Sequence, residues 1–195
     1  MTETNKTDKI YGVYIKSVLT KKIHLFITEI GKNVKKNLEE KIMQSVEGKC
    51  ISEGFIRPGS VKIITYSSGT VNTEYVEFQT VFECFICRPV EGMIIECNTK
   101  NITKAGIHAQ VTDVNDVIPV TVFIARDHHH TDAYFNTIKE NMKIMVKVIG
   151  TRYELNDPYI CVIGKLMKSD EVNKPRVKVL GGDENENIIE MEEME

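Results

Sequence analysis

Between residues 143 and 167 the chain reads KIMVKVIGTRYELNDPYICVIGKLM, and apolar and polar positions alternate along both ends of this stretch. Residues 143–149 and 159–164 are rich in Val, Ile and Tyr, and the polar segment between them holds Asn156, Asp157 and Pro158. Two antiparallel strands follow from that pattern. Gly150-Thr151-Arg152 closes the first and Gly164-Lys165-Leu166-Met167 the second. The same alternation appears at residues 10–19, after a polar leader over residues 1–9. Further on, Ile27, Ile30, Val34, Leu38, Ile42 and Val46 recur at spacings of three and four, which predicts an amphipathic helix over 27–46. Thr28, Lys32 and Lys35 supply a polar opposite face, and Gly48 is placed to end the helix. Three further strands are predicted at 54–56, 61–66 and 75–87. Between the last two lies SSGTVNT, a loop centred on Gly69 with little to bury.

The chain then passes Arg88-Pro89-Val90-Glu91-Gly92, where a missing ladder donor and a relaxed backbone suit a junction between domains. Beyond it the pattern holds only short strands. They fall at 93–97, at 106–111 after a KNITKAG turn, and at 120–124. A polar connection, ARDHHHTDAYFNTIKEN, leads into the hairpin. Five short strands with their long connection between the third and fourth predict a C-terminal OB β-barrel. The fold class is therefore α+β. Residues 1–9 form a disordered leader, 10–90 an N-terminal domain, 91–168 the barrel domain and 169–195 a disordered tail.

Composition narrows the setting. With 195 residues, 42% hydrophobic and 27% charged, the chain can bury one large or two small cores. No apolar run approaches the ~20 residues that cross a bilayer, so no membrane partner is expected. The leader lacks the apolar core of a signal peptide, which points to an intracellular protein. Five scattered cysteines are a poor disulfide framework. Cys84 and Cys87 form a CxxC, but on a strand residues three apart face opposite ways, and no second CxxC completes a four-ligand site. Residues 183–195 read DENENIIEMEEME, with seven acidic residues and no basic ones; removing them from the net −3 leaves +4 for residues 1–182. A solvated tail is the plain reading, and shielding of a basic surface the sharper one.

Four pieces of the chain, in order, resemble the stalk subunit of multisubunit RNA polymerases, the seventh subunit of the eukaryotic polymerase II and its archaeal E-subunit equivalent. They are Val46-Glu47-Gly48-Lys49-Cys50 after the helix, Arg88-Pro89 with Gly92 at the junction, the GIHAQV run at 106–111, and the VIGTRYELNDPYICVIGKLM segment. The resemblance runs from about residue 25 to 167. It departs from the family pattern at the junction, where Val90 and Met93 stand, and at the Gly69 loop, which lacks a following Pro-Gly. The resemblance implies a truncated ribonucleoprotein-like α/β domain ahead of the barrel and a non-catalytic subunit that supports transcription initiation. Its implied partners are the polymerase core subunits, a helical stalk partner subunit of the fourth-subunit type, and nascent single-stranded RNA. No cofactor is implied. A nuclear protein is expected, or, since abundant Lys, Asn and Ile suit a large-DNA-virus version, one of cytoplasmic replication factories and the virion.

Within that resemblance the tip, Ser68, Gly69, Thr70, Val71 and Asn72, is the expected polymerase-docking element. Barrels of this kind bind single strands by stacking bases on aromatics and tracking phosphates with basic side chains. Candidate RNA-binding residues are Lys100 and Lys104 in the turn after the first barrel strand, His108 in the second, and Phe123 and Arg126 ending the third. Lys147, Arg152 and Tyr153, on or after the fourth, complete the set, and the hairpin is expected mainly to close the barrel. Phe123 reads equally as core, Arg152 as a rim support and the lysines as solvated charges. His128-His129-His130 with Asp127 and Asp132 invites a metal, but adjacent histidines do not converge on one ion, and no metal site is expected. The chain has no Walker loop, GxSxG, HExxH or dinucleotide fingerprint, which argues against an enzyme. A free OB protein of translation or RNA turnover is the alternative, but such a protein has no need of the helix and tip ahead of its barrel.

Overall fold

The computed structural model describes residues 13–129 and 133–168. The leader, the first part of the strand expected at 10–19, His130, Asp132 and the tail from 169 lie outside the described residues. β1 (Tyr14–Phe26) pairs with β6 (Tyr75–Cys87) in one unbroken antiparallel register, from Tyr14↔Cys87 to Phe26↔Tyr75. The opposite edge of β6 is covered in series by β3 (Gly54–Ile56), β4 (Lys62–Tyr66) and β5 (Thr70–Asn72). β2 (Cys50–Ile51) extends the sheet beyond β3. β6 therefore has few free backbone groups on either side, and its alternation sets the faces of the whole sheet.

One face carries Val76, Phe78, Phe82, Cys84 and Ile86 of β6 with Ile23 and Leu25 of β1, all buried under α1 (Val34–Val46). Leu38, Ile42 and Val46 are the helix residues that reach this core. Thr80 is polar on the same face and fully buried, but its hydroxyl donates to the Lys21 carbonyl at 2.7 Å. The other face is wet: Lys16 pairs with Glu83 at 2.8 Å, and Lys22 and His24 both reach Glu77 at 3.0 Å. β1 is an edge strand, and lysines along it are the usual guard against edge-to-edge pairing.

The helix begins later than its apolar stripe predicts. Ladder pairing with β6 holds the chain extended through Phe26, a 3-10 turn occupies Ile27–Glu29, and Gly31 and Asn33 precede the first helical residue. Ile27 and Ile30 are left 51% and 38% exposed instead of joining the core. Strand pairing along thirteen positions outweighs a helical period read locally. The Gly69 loop also differs from expectation. Residues 70–72 form a strand, and a turn at Thr73, with φ of 30°, makes a hairpin with β6. Gly69 is required there, because a Cβ would strike the Val76 and Phe78 side chains.

Five strands close the barrel: β7 (Ile94–Ile102), β8 (Gly106–Val111), β9 (Val120–Ala125), β10 (Lys143–Arg152) and β11 (Ile160–Met167). Their order around the barrel is β7-β8-β9-β11-β10 and back to β7, with β9 and β11 parallel and every other pair antiparallel. This agrees with the predicted OB barrel. Ile107, Val120, Ile124, Val146 and Ile160 fill the interior with essentially no exposed surface. At one end the β9–β10 connection plugs the barrel with Phe135, Ile138 and His129. His129 Nδ1 donates to the Ala125 carbonyl at 2.8 Å, and its Nε2 accepts the Leu166 amide at 3.1 Å, with the ring stacked on Phe135. Both nitrogens are occupied by backbone, so this histidine is a strut.

The other end is filled by the first half of the chain. Cys50, Phe55 and Cys87 pack into the barrel cluster. The Cys50 amide donates to the Asp157 carbonyl, and the Asn156 amide returns a bond to the Cys50 carbonyl, both at 2.8 Å. Beside them Arg57 Nε lies 2.6 Å from Asp113 Oδ2, with both side chains mostly buried, and the guanidinium covers the Tyr14 ring. The two thiols of the CxxC thus separate: Cys84 faces the helix-covered core and Cys87 the barrel. Burial pushes the Cys50 and Cys84 thiols up to about 11, and those of Cys87 and Cys97 to about 12.

The Val46–Cys50 word also acquires a physical meaning. The Glu47 carboxylate accepts the amides of Gly59 and Val61, each at 2.9 Å, and Gly48, at φ of 68°, turns its own amide to the Ile56 carbonyl. Glu47 thereby fixes the β3–β4 turn to the end of the helix. Glu47→Ala is expected to cost about 1–3 kcal/mol in denaturant unfolding. The raised thiols predict alkaline lability as well. Because the folded state holds these protons more tightly than an unfolded chain with thiols near 9.0, their contribution is intact below that pH and is lost as pH rises through the folded values. Urea midpoints should be level from about pH 7 to 8.5 and lower at about pH 10.5.

Candidate nucleic-acid interface

A groove of about 550 Å³ runs across the outer face of β8, β9, β11 and β10. Strand register builds it in rows. His108, Phe123, Ile163 and Gly150 are successive cross-strand partners, and Gln110, Thr121, Cys161 and Arg152 form the next row. Alternation dictates this face, since Ala109, Val122, Val162 and Ile124 point inward between these residues. The His108 and Phe123 rings lie 4.9 Å apart and tilted by 44°. Phe123 lies over Gly106, where a Cβ would strike the Ile124 carbonyl and crowd the ring, so glycine leaves room for the ring there. Ile163 and Tyr159 remain 49% and 41% exposed.

Two bulges shape the rim. The β7–β8 register shifts between Thr99 and Asn101, so Lys100 is the extra residue, exposed on the strand and reaching the groove. It sits in β7 and not in the turn predicted for it, because the strand runs on to Ile102. The β10–β11 register shifts between Val148 and Gly150, and a Cβ on Gly150 would meet only open space. Arg152, 84% exposed, borders the groove and lies 3.5 Å from Glu154. No Asp or Glu is among the groove-lining residues, whereas a second groove beside β7 includes Glu96 and Asp113.

Of the residues singled out from sequence, Lys100, His108, Phe123 and Arg152 therefore converge on one groove. Lys147 is exposed on β10 opposite Lys165, on the same outer side but not in the lining. Lys104 lies in the β7–β8 turn. Arg126 is held by that turn and the barrel plug: Nε donates to the Lys104 carbonyl at 3.0 Å, Nη1 lies 3.4 Å from Asn136 Oδ1, and the guanidinium covers Phe135. Tyr153 is at the seam between the halves, its hydroxyl donating to the Ser52 carbonyl at 3.1 Å. Sequence reasoning missed Tyr159, Cys161 and Ile163, although alternation along β11 already placed the last two on the outer face. The hairpin does more than close the barrel, because it supplies one wall of the groove.

The tip residues Ser68, Gly69, Thr70, Val71 and Asn72 lie at the far end of the sheet. Val71 is 71% exposed, and Asn72 Nδ2 donates to the Tyr75 hydroxyl at 2.8 Å. Tyr66, at the end of β4 next to the hairpin, is also exposed, while exposed Ile64 lies farther along the sheet opposite the middle of β6. Among the described residues no cluster of His, Cys, Asp and Glu is arranged to hold a metal ion.

A closed barrel of this order, with neighbouring rings and cations on its outer face, defines an OB-type domain joined to a helix-backed sheet. Comparison with known proteins carries this further. No protein-family model matches the chain. It is 26% identical over 153 residues to DNA-directed RNA polymerase II subunit 7 of Arabidopsis thaliana, covering 70% of this chain and 84% of that protein. Identity is 24% over 156 residues to DNA-directed RNA polymerase II subunit RPB7 of Glycine max, covering 72% and 85%. A provisionally named DNA-directed RNA polymerase subunit of Acanthamoeba polyphaga mimivirus is 24% identical over 188 residues, covering 88% of this chain and 94% of its own length. These matches bear out the resemblance: over most of its length the chain is similar to RNA polymerase II seventh-subunit proteins and to a viral polymerase subunit.

Because Phe123 points outward and only half-buries its ring, Phe123→Ala should cost under about 1.5 kcal/mol in unfolding experiments, whereas Ile124→Ala, inside the barrel, should cost about 2–5 kcal/mol. Similar costs for the two would return Phe123 to the core.

Proposed function

We propose that this protein is a non-catalytic stalk subunit of a DNA-directed RNA polymerase, docked through its N-terminal half and presenting its barrel to nascent RNA. The observation that carries the reading is the groove. Four residues chosen for RNA contact, spread over strands far apart in sequence, line one apolar and aromatic channel that no carboxylate lines. A single strand suits such a surface, since bases stack on rings of any sequence while cations follow the phosphates. Similarity to RNA polymerase subunits over most of the chain supports the same reading.

In this reading residues 10–90 form the docking domain, a truncated ribonucleoprotein-like fold, and residues 91–168 the RNA-facing domain. The hairpin at 67–74 enters the polymerase core, where exposed Val71 and the adjoining Tyr66 provide apolar contact. A helical stalk partner packs on the N-terminal half. The site of action is the nucleus or, for a viral enzyme, cytoplasmic replication factories and possible packaging in the virion.

Binding is weak, sequence-tolerant and sensitive to salt. In filter-binding or fluorescence titrations with an oligouridylate, Phe123→Ala should weaken affinity by roughly 5–100-fold. Lys100→Glu with Arg152→Glu should lower the salt slope by about 1–2. Gly150→Leu, which fills open space, should block binding while leaving the unfolding midpoint unchanged. Removing residues 67–73 should instead reduce co-purification with the large polymerase subunits and spare RNA binding. Unchanged affinity in the groove variants would move the RNA path elsewhere, and intact assembly without the hairpin would refute the tip assignment.

A further inference from the structure

We propose that the acidic segment 183–195 folds back into the groove on the outer face of the barrel and competes there with RNA, an inference that rests on the RNA reading of that groove. Two features of the groove have matching features in this segment. Its rim carries the cations Lys100 and Arg152, the latter 3.5 Å from Glu154, and no carboxylate is among the lining residues. Its floor is apolar, with Ile163 and Tyr159 substantially exposed beside Phe123. The segment reads DENENIIEMEEME, so its later part mixes Ile188, Ile189, Met191 and Met194 with carboxylates. A purely acidic run would match the rim alone. This one also carries four apolar side chains that match the floor.

Charge favours this groove over the other large one, whose carboxylates Glu96 and Asp113 are paired with Lys143 and Arg57 and leave that lining no net positive charge to attract the segment. Geometry permits the contact. β11 carries Cys161 and Ile163 in the groove and ends at Met167. Cys161 is six residues back along the strand from that end, about 20 Å. Fifteen residues lie between Met167 and Asp183, a reach of up to about 50 Å. Tethering over such a span keeps the segment at an effective concentration in the millimolar range, so a weak contact is sufficient. The occupant would exclude weak, non-specific polyanions and yield to a strand held close by other contacts.

Cys161 offers a direct readout that needs no RNA. It lines the groove and is exposed, while the other four cysteines are buried. The rate of Cys161 alkylation by uncharged iodoacetamide, followed by intact mass, is measured on the full chain and on a chain ending at Gly182. A third chain has its seven acidic residues in 183–195 changed to Asn or Gln. Alkylation of the full chain should be about 3–10-fold slower than that of either variant at low salt, and the gap should close near ~0.5 M salt. The same variants should bind an oligouridylate about 3–10-fold tighter than the full chain at low salt.

Equal alkylation rates in all three chains would overturn the proposal, whatever the RNA result. Protection that grows with protein concentration would place the segment of a second copy in the groove and overturn internal binding. Protection of Cys161 with no oligonucleotide binding by any chain would uphold the fold-back contact and overturn the RNA reading on which the competition rests.

Discussion

The structure depends on one strand. β6 is paired along its whole length with β1 on one edge and in turn with β5, β4 and β3 on the other. Its alternation commits one face to the helix, and its last residue, Cys87, belongs to the barrel core. A register slip of one position would exchange buried Phe78 and Phe82 for Glu77 and Glu83 and withdraw Cys87 from the barrel. The rest of the seam is laid beside it: Phe55 pairs with Cys87, Cys50 exchanges backbone bonds with Asn156 and Asp157, and Arg57 meets Asp113. The two halves are consequently held by sheet register and buried charge. A tip at one end of β6 and a barrel at the other occupy fixed positions relative to each other.

Much of this was legible in the sequence, for a physical reason in each case. Period-two alternation marked the barrel strands because each has one dry face. The Leu38, Ile42 and Val46 stripe marked the helix because it faces a sheet. The misreadings came where long-range pairing decided the outcome. Ile27 and Ile30 share the helical spacing, yet β1 pairs with β6 up to Phe26 and the helix has to start later. Thr70, Val71 and Asn72 have nothing to bury, so alternation says little; their partner strand makes them a hairpin. Nothing local announces the bulge at Lys100, so its residue type and neighbours point to a turn.

The candidate site was legible in part, for the same reason. Choosing basic and aromatic residues near strand ends found Lys100, His108, Phe123 and Arg152 together, because outward-facing positions on adjacent strands fall into rows. Residue type alone could not separate them from Arg126 and Tyr153, whose polar atoms are spent on Lys104 and Ser52. Nor could it reveal that Gly106 and Gly150 matter by what they leave out: one makes room for a ring, and the other leaves the floor open. The groove thus combines cations that residue type reveals with space that only the folded backbone reveals.

Photo-crosslinking of nascent RNA within the native polymerase, with the crosslinked peptides mapped by mass spectrometry, bears most directly on whether the barrel groove meets RNA. Adducts at His108, Phe123 or Tyr159, in a complex that contains this chain together with the large polymerase subunits, are the predicted result. A complex that holds the chain but places every adduct away from the outer face of β8, β9, β10 and β11 would contradict the account.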